Sequence, residues 1–393
     1  MTPNVSKPSP IAGVLFLSIL GALMAVTSLS TDIYLPAMPE MAKELQGDAE
    51  LTVTGFLIGF AVAQLIWGPI SDQIGRRKPM FIGMVLFTIG SLGCALSTSM
   101  EQIVFWRVFQ AFGACTAPML ARAMVRDLFS RTRAAQMLST LMIIMAIAPI
   151  GGPLLGGQMI TFTTWHSIFI LLAVIGGFLF LSIFLLPETL NTDKRTKASI
   201  SSAFVNYFRL LSHKTFMRYT LCVTFYYVSA YAFITGSPNV YITYFGIDAQ
   251  HYGWLFAVNI VGVMGMSFIN RSLVHRFELQ TLLKIATGIA TIATLVMAVT
   301  VKADFVPIYF IIAMVFIFFS MNGIVAAVST AAALDEVPHI AGSASALIGS
   351  LQYGSGIIST ILLAFFNDGT PWAMVWIMSL FTLFSFLMVL RAK

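Results

Sequence analysis

The chain has 393 residues, of which 58% are hydrophobic and only 10% are charged, and its formal net charge is +6. Because a soluble domain has about 25% charged residues, this composition excludes an ordinary water-soluble protein and indicates a surface that faces lipid. The three cysteines lie in apolar stretches without motif spacing, which excludes a disulfide framework.

Twelve apolar stretches, each about the length that a helix needs to cross a bilayer, follow one another along the chain. They run over residues 12–34, 51–71, 80–98, 102–126, 136–160, 166–186, 218–240, 252–272, 280–300, 306–331, 343–366 and 372–390. The longest polar interval separates the sixth stretch from the seventh. We therefore predict an all-α integral membrane protein with an N-terminal six-helix bundle (1–186), a linker (187–217) and a C-terminal six-helix bundle (218–393).

The lysine and arginine residues predict the orientation of these spans. If the N-terminus is cytoplasmic, 18 of the 22 basic residues fall in cytoplasmic segments or at the cytoplasmic ends of spans, Lys43 and Lys302 fall outside, and Arg107 and Arg122 lie inside span 4. This asymmetry predicts that both termini are cytoplasmic. Topology then explains the positive net charge, and we expect no nucleic-acid partner. The first span has no small-residue cleavage site, so we expect it to be retained.

Other function classes are disfavoured by what the sequence lacks. The phosphate-binding pattern GxxxxGK[ST] does not occur, and even the dipeptide GK is absent, so an ATP-driven pump is not expected. The five histidines are scattered, and we propose no metal site. We expect neither a cofactor nor enzymatic chemistry. We expect no appended soluble domain that could relay a signal, so a membrane sensor is disfavoured.

Ionisable side chains inside a bilayer are costly and need an explanation. Asp32 lies about 30 Å of helix from the start of span 1, and Arg107 about 8 Å from the outer end of span 4, so we expect both in the outer half of the membrane. Opposite charge and similar depth predict that they form a functional pair. Pro36 cannot donate a hydrogen bond to the Asp32 carbonyl, which adds polarity there. The alternatives are a helix end at the outer surface for Asp32 and a headgroup contact for Arg107.

The segment after span 2 reads GPISDQIGRRKPM and resembles the G-x-x-x-D-x-x-G-R-[RK] signature of the major facilitator superfamily. We expect Gly68 and Gly75 to allow tight packing and a turn, and Asp72 to face the N-terminus of a neighbouring helix. Arg76 and Arg77 are expected at the cytoplasmic surface. The resemblance implies that these five residues form a cytoplasmic gate. An ordinary positive loop would explain the basic residues but not the glycines and the aspartate at this spacing.

Span 4 contains WRVFQAFGA, which resembles a second motif of the superfamily. Arg107, Gln110 and Gly113 match that motif, whereas Ala111 stands where a glycine is usual. Arg107 and Gln110 share a helix face. Asp127, in the RAMVRDLF segment that ends this span, resembles the acidic partner of the cytoplasmic gate.

Span 5 contains APIGGPLLGG, which resembles the G-P-x-x-G-G motif of antiporters. The motif residues are Pro149, Gly152, Pro153, Gly156 and Gly157. Small residues let another helix approach closely, and prolines permit a bend. An ordinary kinked packing helix is the alternative, so the prediction of export depends on the resemblance.

Two further stretches narrow the resemblance to the Bcr/CflA subfamily of drug:proton antiporters, which includes exporters of bicyclomycin and chloramphenicol. They are STDIYLPAMPEMAKEL near the first span and DEVPHIAGSASALIGSLQYGSG around span 11. The loop after span 8, NRSLVHRFEL, departs from the pattern because it lacks the glycine and aspartate of the signature's second copy. The resemblance implies the major facilitator fold, with the substrate site between the two bundles.

The function implied by this resemblance is proton-driven efflux of small drug-like molecules across the bacterial inner membrane by alternating access. Asp32 is the only acidic residue within the predicted spans, so it is the candidate carrier of a single proton, with Arg107 as its partner. Candidate residues of the substrate cavity are Gln110, Tyr226, Tyr227, Tyr231, Asn259, Met321 and Asn322. We expect a monomer whose partners are its small-molecule substrate, protons and membrane lipid. The alternatives are export of a metabolite such as an amino acid or nucleoside, and, less favoured, a nutrient symporter or uniporter.

Overall fold

The computed structural model describes residues 10–196, 200–303 and 307–390. Within these ranges all regular structure is helical, which confirms the predicted all-α class. The α-helices are α1 (Pro10–Asp32), α2 (Met38–Leu45), α3 (Glu50–Ile74), α4 (Arg77–Ala95), α5 (Met100–Ala114), α6 (Thr116–Leu128), α7 (Arg131–Phe162), α8 (Trp165–Ser182), α9 (Ile200–Ser212), α10 (Lys214–Pro238), α11 (Ala249–Leu273), α12 (Leu279–Lys302), α13 (Ile308–Asp335), α14 (Ala341–Phe366) and α15 (Trp372–Leu390). The two termini, whose cytoplasmic location the sequence predicts, lie outside the described residues.

Eleven segments of the described chain are long and apolar enough to cross a bilayer. They correspond to all the predicted spans except the seventh. The helix at that position, α10, is 25 residues long, but its threonine, serine and tyrosine residues lower its hydropathy. Because most of its side chains are buried among other helices, α10 does not need a strongly apolar surface. We therefore assign it as the seventh span.

Two of the spans are interrupted. After α1 ends at Asp32, the chain forms a 3-10 turn over Leu35–Ala37 before α2 begins. Pro36 lies in this turn and has no N–H to continue the helix, as the sequence predicts. Span 4 divides at Cys115 into α5 and α6. The break after α1 leaves carbonyl groups near Asp32 without partners inside the helix.

The helices form two bundles that meet along two pairs of helices. Helices α1 and α3–α8 pack in one bundle, α10–α15 pack in the other, and the pairs α3–α14 and α7–α11 join them. The predicted linker contains more than a polar connection, because it includes the amphipathic helix α9. Tyr207 and Leu210 of α9 are buried, whereas Phe208 is 70% exposed. The Tyr207 hydroxyl donates to the Leu65 carbonyl at 3.1 Å, which holds the linker helix against α3.

The two ends of the molecule differ. We call the end that carries Arg76 and Arg126 the basic end, and the end at which α1 terminates the opposite end. At the basic end, a cavity of about 780 Å³ separates the bundles and is lined by residues of α3, α6, α9 and α14. At the opposite end the bundles touch, and the Thr54 hydroxyl of α3 donates to the Thr360 hydroxyl of α14 at 2.6 Å.

Glycines make the second contact at the opposite end. A Cβ atom at Gly157 of α7 would lie 2.6 Å from the Ala249 carbonyl oxygen of α11. A Cβ atom at Gly253 of α11 would lie 2.7 Å from the Leu154 nitrogen of α7. Both distances are too short for a larger residue, so α7 and α11 pack backbone to backbone. The structure is therefore closed at the opposite end and open at the basic end.

Candidate functional site

Asp32 is the last residue of α1 and is only 7% exposed. Helix α7 covers it through two glycines of the predicted antiporter motif. A Cβ atom at Gly152 would lie 3.5 Å from the Asp32 Cβ atom, and one at Gly156 would overlap the Ile33 carbonyl oxygen. The structure thus brings the motif of span 5 directly against the backbone of the predicted proton carrier.

Arg107 of α5 is completely buried and connects several helices. Its guanidinium donates to the Ser30 carbonyl of α1 at 2.9 Å, to the Thr52 carbonyl of α3 at 3.3 Å and to Gln110 Oε1 at 2.5 Å. Gln110 in turn donates to the Ser91 hydroxyl of α4 at 2.8 Å. This network makes Arg107 the polar centre of the N-terminal bundle, and its burial excludes the alternative of a headgroup contact.

Asp32 and Arg107, which the sequence predicts to form a functional pair, are not in direct contact in this conformation. Among the described residues no ion pair within 4.0 Å joins them. Arg107 Nε and Nη1 donate instead to carbonyl groups, including that of Ser30, which the end of α1 leaves free, whereas its buried Nη2 has no hydrogen-bond partner among the described residues. The guanidinium carbon also lies 4.5 Å from the Tyr34 ring centroid and 4.4 Å from that of Phe56. The attraction between Asp32 and Arg107 therefore acts over a longer range than contact.

Glu50 is a buried carboxylate that the sequence analysis missed. It is the first residue of α3 and is 7% exposed. It lines a small cavity of about 90 Å³ at the opposite end, together with Thr235, Asn239 and Asn367. The predicted span began one residue later, so the statement that Asp32 is the only acidic residue within the spans is wrong. A glutamate directly before an apolar run, where the dipole of a helix N-terminus stabilises it, was the available signal.

The predicted gate residues come together at the basic end. Arg76 donates to Asp72 at 2.6 Å and to Asp127 at 2.9 Å, and both contacts are ion pairs. The Arg76 guanidinium also donates to the Ser71 hydroxyl at 2.9 Å. The Thr189 hydroxyl donates to Asp127 at 3.1 Å. The expectation that Asp127 joins the cluster agrees with this geometry.

Glu188, between α8 and α9, belongs to the same cluster and was missed by the sequence analysis. Its carboxylate accepts hydrogen bonds from the backbone amides of Arg76, Arg77 and Leu190 at 2.9, 3.1 and 3.1 Å. Burial by itself would raise the pKa of Glu188, but these amides and the nearby Arg195 guanidinium lower it below its ordinary value. The ionised carboxylate therefore fixes the start of α4.

The two glycines of the gate signature differ in their surroundings. Gly75 has φ +98°, a conformation that favours glycine, and a Cβ atom there would lie 2.5 Å from Glu188 Oε2. A Cβ atom at Gly68 would meet nothing within 4 Å. The expectation of tight packing at Gly68 is therefore wrong in this state, because Gly68 lines the open cavity.

The residues proposed for the substrate cavity do not line the space at the basic end. Gln110 is bound to Arg107, and the Tyr226 hydroxyl donates to the Phe318 carbonyl within the C-terminal bundle. Tyr227 and Tyr231 are close to each other. The remaining proposed residues are the buried Met321 and Asn259 and the partly buried Asn322. In this state Tyr226 lies inside the C-terminal bundle, whereas Tyr231 lies close to Asp32 of the N-terminal bundle, and the roles of both in binding substrate stay predictions.

Comparisons with known proteins agree with this architecture. The model of the Major Facilitator Superfamily matches residues 20–360. The chain is 38% identical to the uncharacterized MFS-type transporter YdgK of Bacillus subtilis, with 86% of each chain covered. It is 30% identical to a bicyclomycin resistance protein homolog of Haemophilus influenzae, covering 93% of this chain and 92% of the relative. It is 28% identical to a chloramphenicol resistance protein of Pseudomonas aeruginosa, covering 89% and 84%.

Among solved structures, the nucleoside transporter NupG superimposes with a TM-score of 0.77 at 13% identity, covering 95% of this chain and 98% of that one. This likeness confirms the predicted fold. The motif-based resemblance to bicyclomycin and chloramphenicol resistance proteins is confirmed by the relatives. The sequence, the helices and the relatives of this chain together show that it is a multi-span membrane protein of the Major Facilitator Superfamily.

Proposed function

We propose that this protein exports small drug-like molecules across the bacterial inner membrane in exchange for protons. The observation that carries the proposal is the burial of Asp32 beneath the glycines of α7. The names of the relatives, which refer to resistance to bicyclomycin and chloramphenicol, support drugs as the class of substrate. The process is transport without chemical change in the substrate, and it needs no cofactor.

Asp32 is suited to carry the proton because a charged carboxylate is costly in a buried, apolar position. In the closed packing of α1 against α7, the protonated form is favoured. When the opposite end opens, Asp32 takes up a proton from the outer solution. When water from the cavity at the basic end reaches Asp32, the charged form is stabilised and the proton leaves toward the cytoplasm. Because Gly152 and Gly156 let α7 pack against the end of α1, a movement of α7 changes the access of water to Asp32. Proton release is thereby coupled to the conformational change.

The gate at the basic end controls the other half of the cycle. Asp72 lies on one wall of the cavity, and Ala341 and Gly342 at the N-terminus of α14 lie on another. Closure of the cavity brings the carboxylate to the positive end of the α14 dipole, an interaction typically worth about 0.3–1 kcal/mol at an exposed site. Arg76 forms ion pairs with both Asp127 and Asp72, and in this way it holds the Asp72 carboxylate in position. The state open at the opposite end is stabilised in this way.

The proton gradient supplies the driving force. One proton that enters per cycle contributes roughly 2.3 kcal/mol per 100 mV of membrane potential. The pH difference contributes about 1.4 kcal/mol per unit. Exchange for a neutral or zwitterionic compound uses both terms, whereas exchange for a monocation uses only the pH difference. We therefore expect weaker export of monocations and essentially none of dications.

The test is transport by purified protein in vesicles with an imposed pH gradient, using chloramphenicol and bicyclomycin as substrates. We expect movement of substrate against the proton flow in the wild-type protein and in the control Asp368→Asn, which changes an exposed acidic residue. We expect Asp32→Asn to lose gradient-driven accumulation while retaining downhill exchange. Substrate movement in the same direction as protons would show a symporter and overturn the proposal.

A further inference from the structure

Arg122 is a charged residue deep in the wall of the cavity at the basic end. It lies six residues before the end of α6 at Leu128, about 9 Å along the helix. It is close to Cys115, where span 4 is interrupted, and to Tyr353 of α14. Arg122 therefore lies inside the cavity, away from its opening at the basic end and between the two bundles.

Arg122 forms no ion pair with any acidic residue that the structure describes. Within the described ranges, no carboxylate lies within 4.0 Å of its guanidinium. The acidic residues of the neighbouring gate are already engaged, since Asp72 and Asp127 both pair with Arg76. Arg126, one helical turn along, adds a second positive charge to the same wall. A cation so placed is expensive unless it receives an anionic ligand.

A second group on the same cavity is also without a partner. The Gln64 side chain of α3 lines the cavity, and its Oε1 atom is buried without a hydrogen bond. Buried acceptors are normally satisfied, so this atom is available for a donor on a ligand. The wall of the cavity thus combines a cation and a free acceptor.

We propose that Arg122 and Gln64 form a binding site for the carboxylate end of the substrate, and that the preferred substrates are small compounds carrying a carboxylate. Arg122 donates to the carboxylate, and Gln64 accepts from an amide or hydroxyl group. This inference rests on the proposed export function and specifies the chemical class that it serves. The cavity volume of about 780 Å³ accommodates a molecule of drug size.

The charge of an anionic substrate also changes how strongly the membrane potential drives its export. A monoanion that leaves the cell carries one negative charge outward, which equals one positive charge inward. Whatever the proton stoichiometry, each molecule of an anionic substrate therefore moves one elementary charge more than a neutral analogue. Anionic compounds thus use the membrane potential most effectively.

Chloramphenicol and its hemisuccinate ester provide matched probes, because the ester adds a carboxylate to the same aromatic scaffold. Binding of both to the purified protein in detergent is measured for the wild type, Arg122→Gln, Arg122→Lys and the control Arg126→Gln. We expect the hemisuccinate to bind the wild type about 10-fold more tightly than chloramphenicol, a typical effect of one charge-assisted hydrogen bond. We expect Arg122→Gln to abolish this difference, Arg122→Lys to restore part of it, and Arg126→Gln to preserve most of it.

Retained chloramphenicol binding shows that each variant is folded. The inference is overturned if the hemisuccinate does not bind the wild type more tightly, or if Arg122→Gln weakens both probes equally. Transport currents in vesicles provide the second measurement, with one additional charge moved per hemisuccinate. Failure of pH-driven drug transport by the wild-type protein would instead overturn the proposed function, and the binding comparison separates that result from failure of the carboxylate site.

Discussion

Arg107 donates a hydrogen bond of 2.9 Å to the carbonyl oxygen of Ser30, two residues before the buried Asp32. The arginine thus binds the backbone at the end of α1, and no cation from the described part of the chain forms an ion pair with the aspartate. This arrangement separates two tasks. Arg107 fixes the position of the helix end, and Asp32 remains available for a proton.

The structural task of Arg107 depends on its shape. Arg107→Lys keeps the charge, but an ammonium group cannot reproduce the planar fork that reaches Ser30, Thr52 and Gln110 together. We expect Arg107→Lys to lower the thermal midpoint in detergent by several degrees, because hydrogen bonds to a charged group contribute about 1.5–3 kcal/mol each. Arg126→Lys, on the exposed mouth of the cavity, should leave the midpoint unchanged. An Arg107→Lys protein as stable as the wild type would show that charge alone suffices.

The contact of α7 with the end of α1 requires glycine at Gly156. A methyl group there would overlap the Ile33 carbonyl oxygen, whereas one at Gly151 would meet nothing within 4 Å. We therefore expect Gly156→Ala to displace α7 from Asp32 and to reduce transport at least 10-fold. Gly151→Ala adds the same methyl group to the same helix and should preserve activity. Equal activity of the two variants would mean that the close approach is not needed.

Glu188 gives the gate an acid-sensitive component. Because its folded pKa lies below its ordinary value, its contribution to stability is present above the unfolded pKa of about 4.3 and is lost as the pH falls through the folded value. We expect the difference in thermal midpoint between the wild type and Glu188→Gln to be constant between about pH 7 and pH 5 and to shrink below about pH 4. The difference isolates this residue from the other acidic groups. A difference that grows on acidification would contradict the assigned role.

The predicted orientation has its own test. Cysteines introduced at Thr196 and Gln46 are probed with an impermeant thiol reagent in whole cells, and the native cysteines, Cys94, Cys115 and Cys222, are buried and give little background. We expect Gln46→Cys to react from outside and Thr196→Cys to react only after the cells are opened. The reverse pattern would place the basic end in the periplasm.

The sequence predicted the spans well because the cost of burying polar groups in lipid forces a strong pattern on the chain. The gate was also predictable, since Asp72 and Arg76 are one helical turn apart and their motif is specific. Glu188 was not, because it binds backbone amides of residues 112 and 111 positions away, which leave no side-chain pattern. The absence of a direct contact between Asp32 and Arg107 was unpredictable for another reason. Counting residues along helices gives depth in the membrane but not the direction in which a side chain leaves the helix.

Glu50 is a second buried carboxylate, so the assignment of Asp32 as the proton carrier is tested against it. It lies at the N-terminus of α3, on a cavity of only about 90 Å³ at the opposite end, and that cavity has no lining residue from α7. A movement of α7 relative to α1 therefore does not change the surroundings of Glu50 directly. We expect Glu50→Gln to retain coupling between proton and substrate movement.

The most direct measurement of the central claim is proton movement in vesicles, followed with an internal pH indicator after chloramphenicol is added in the absence of an imposed gradient. The account predicts substrate-induced proton movement in the wild type and in Glu50→Gln, and none in Asp32→Asn, although Asp32→Asn still exchanges labelled chloramphenicol. Proton movement that persists in Asp32→Asn, or that disappears in Glu50→Gln alone, would contradict the assignment of Asp32 as the carrier.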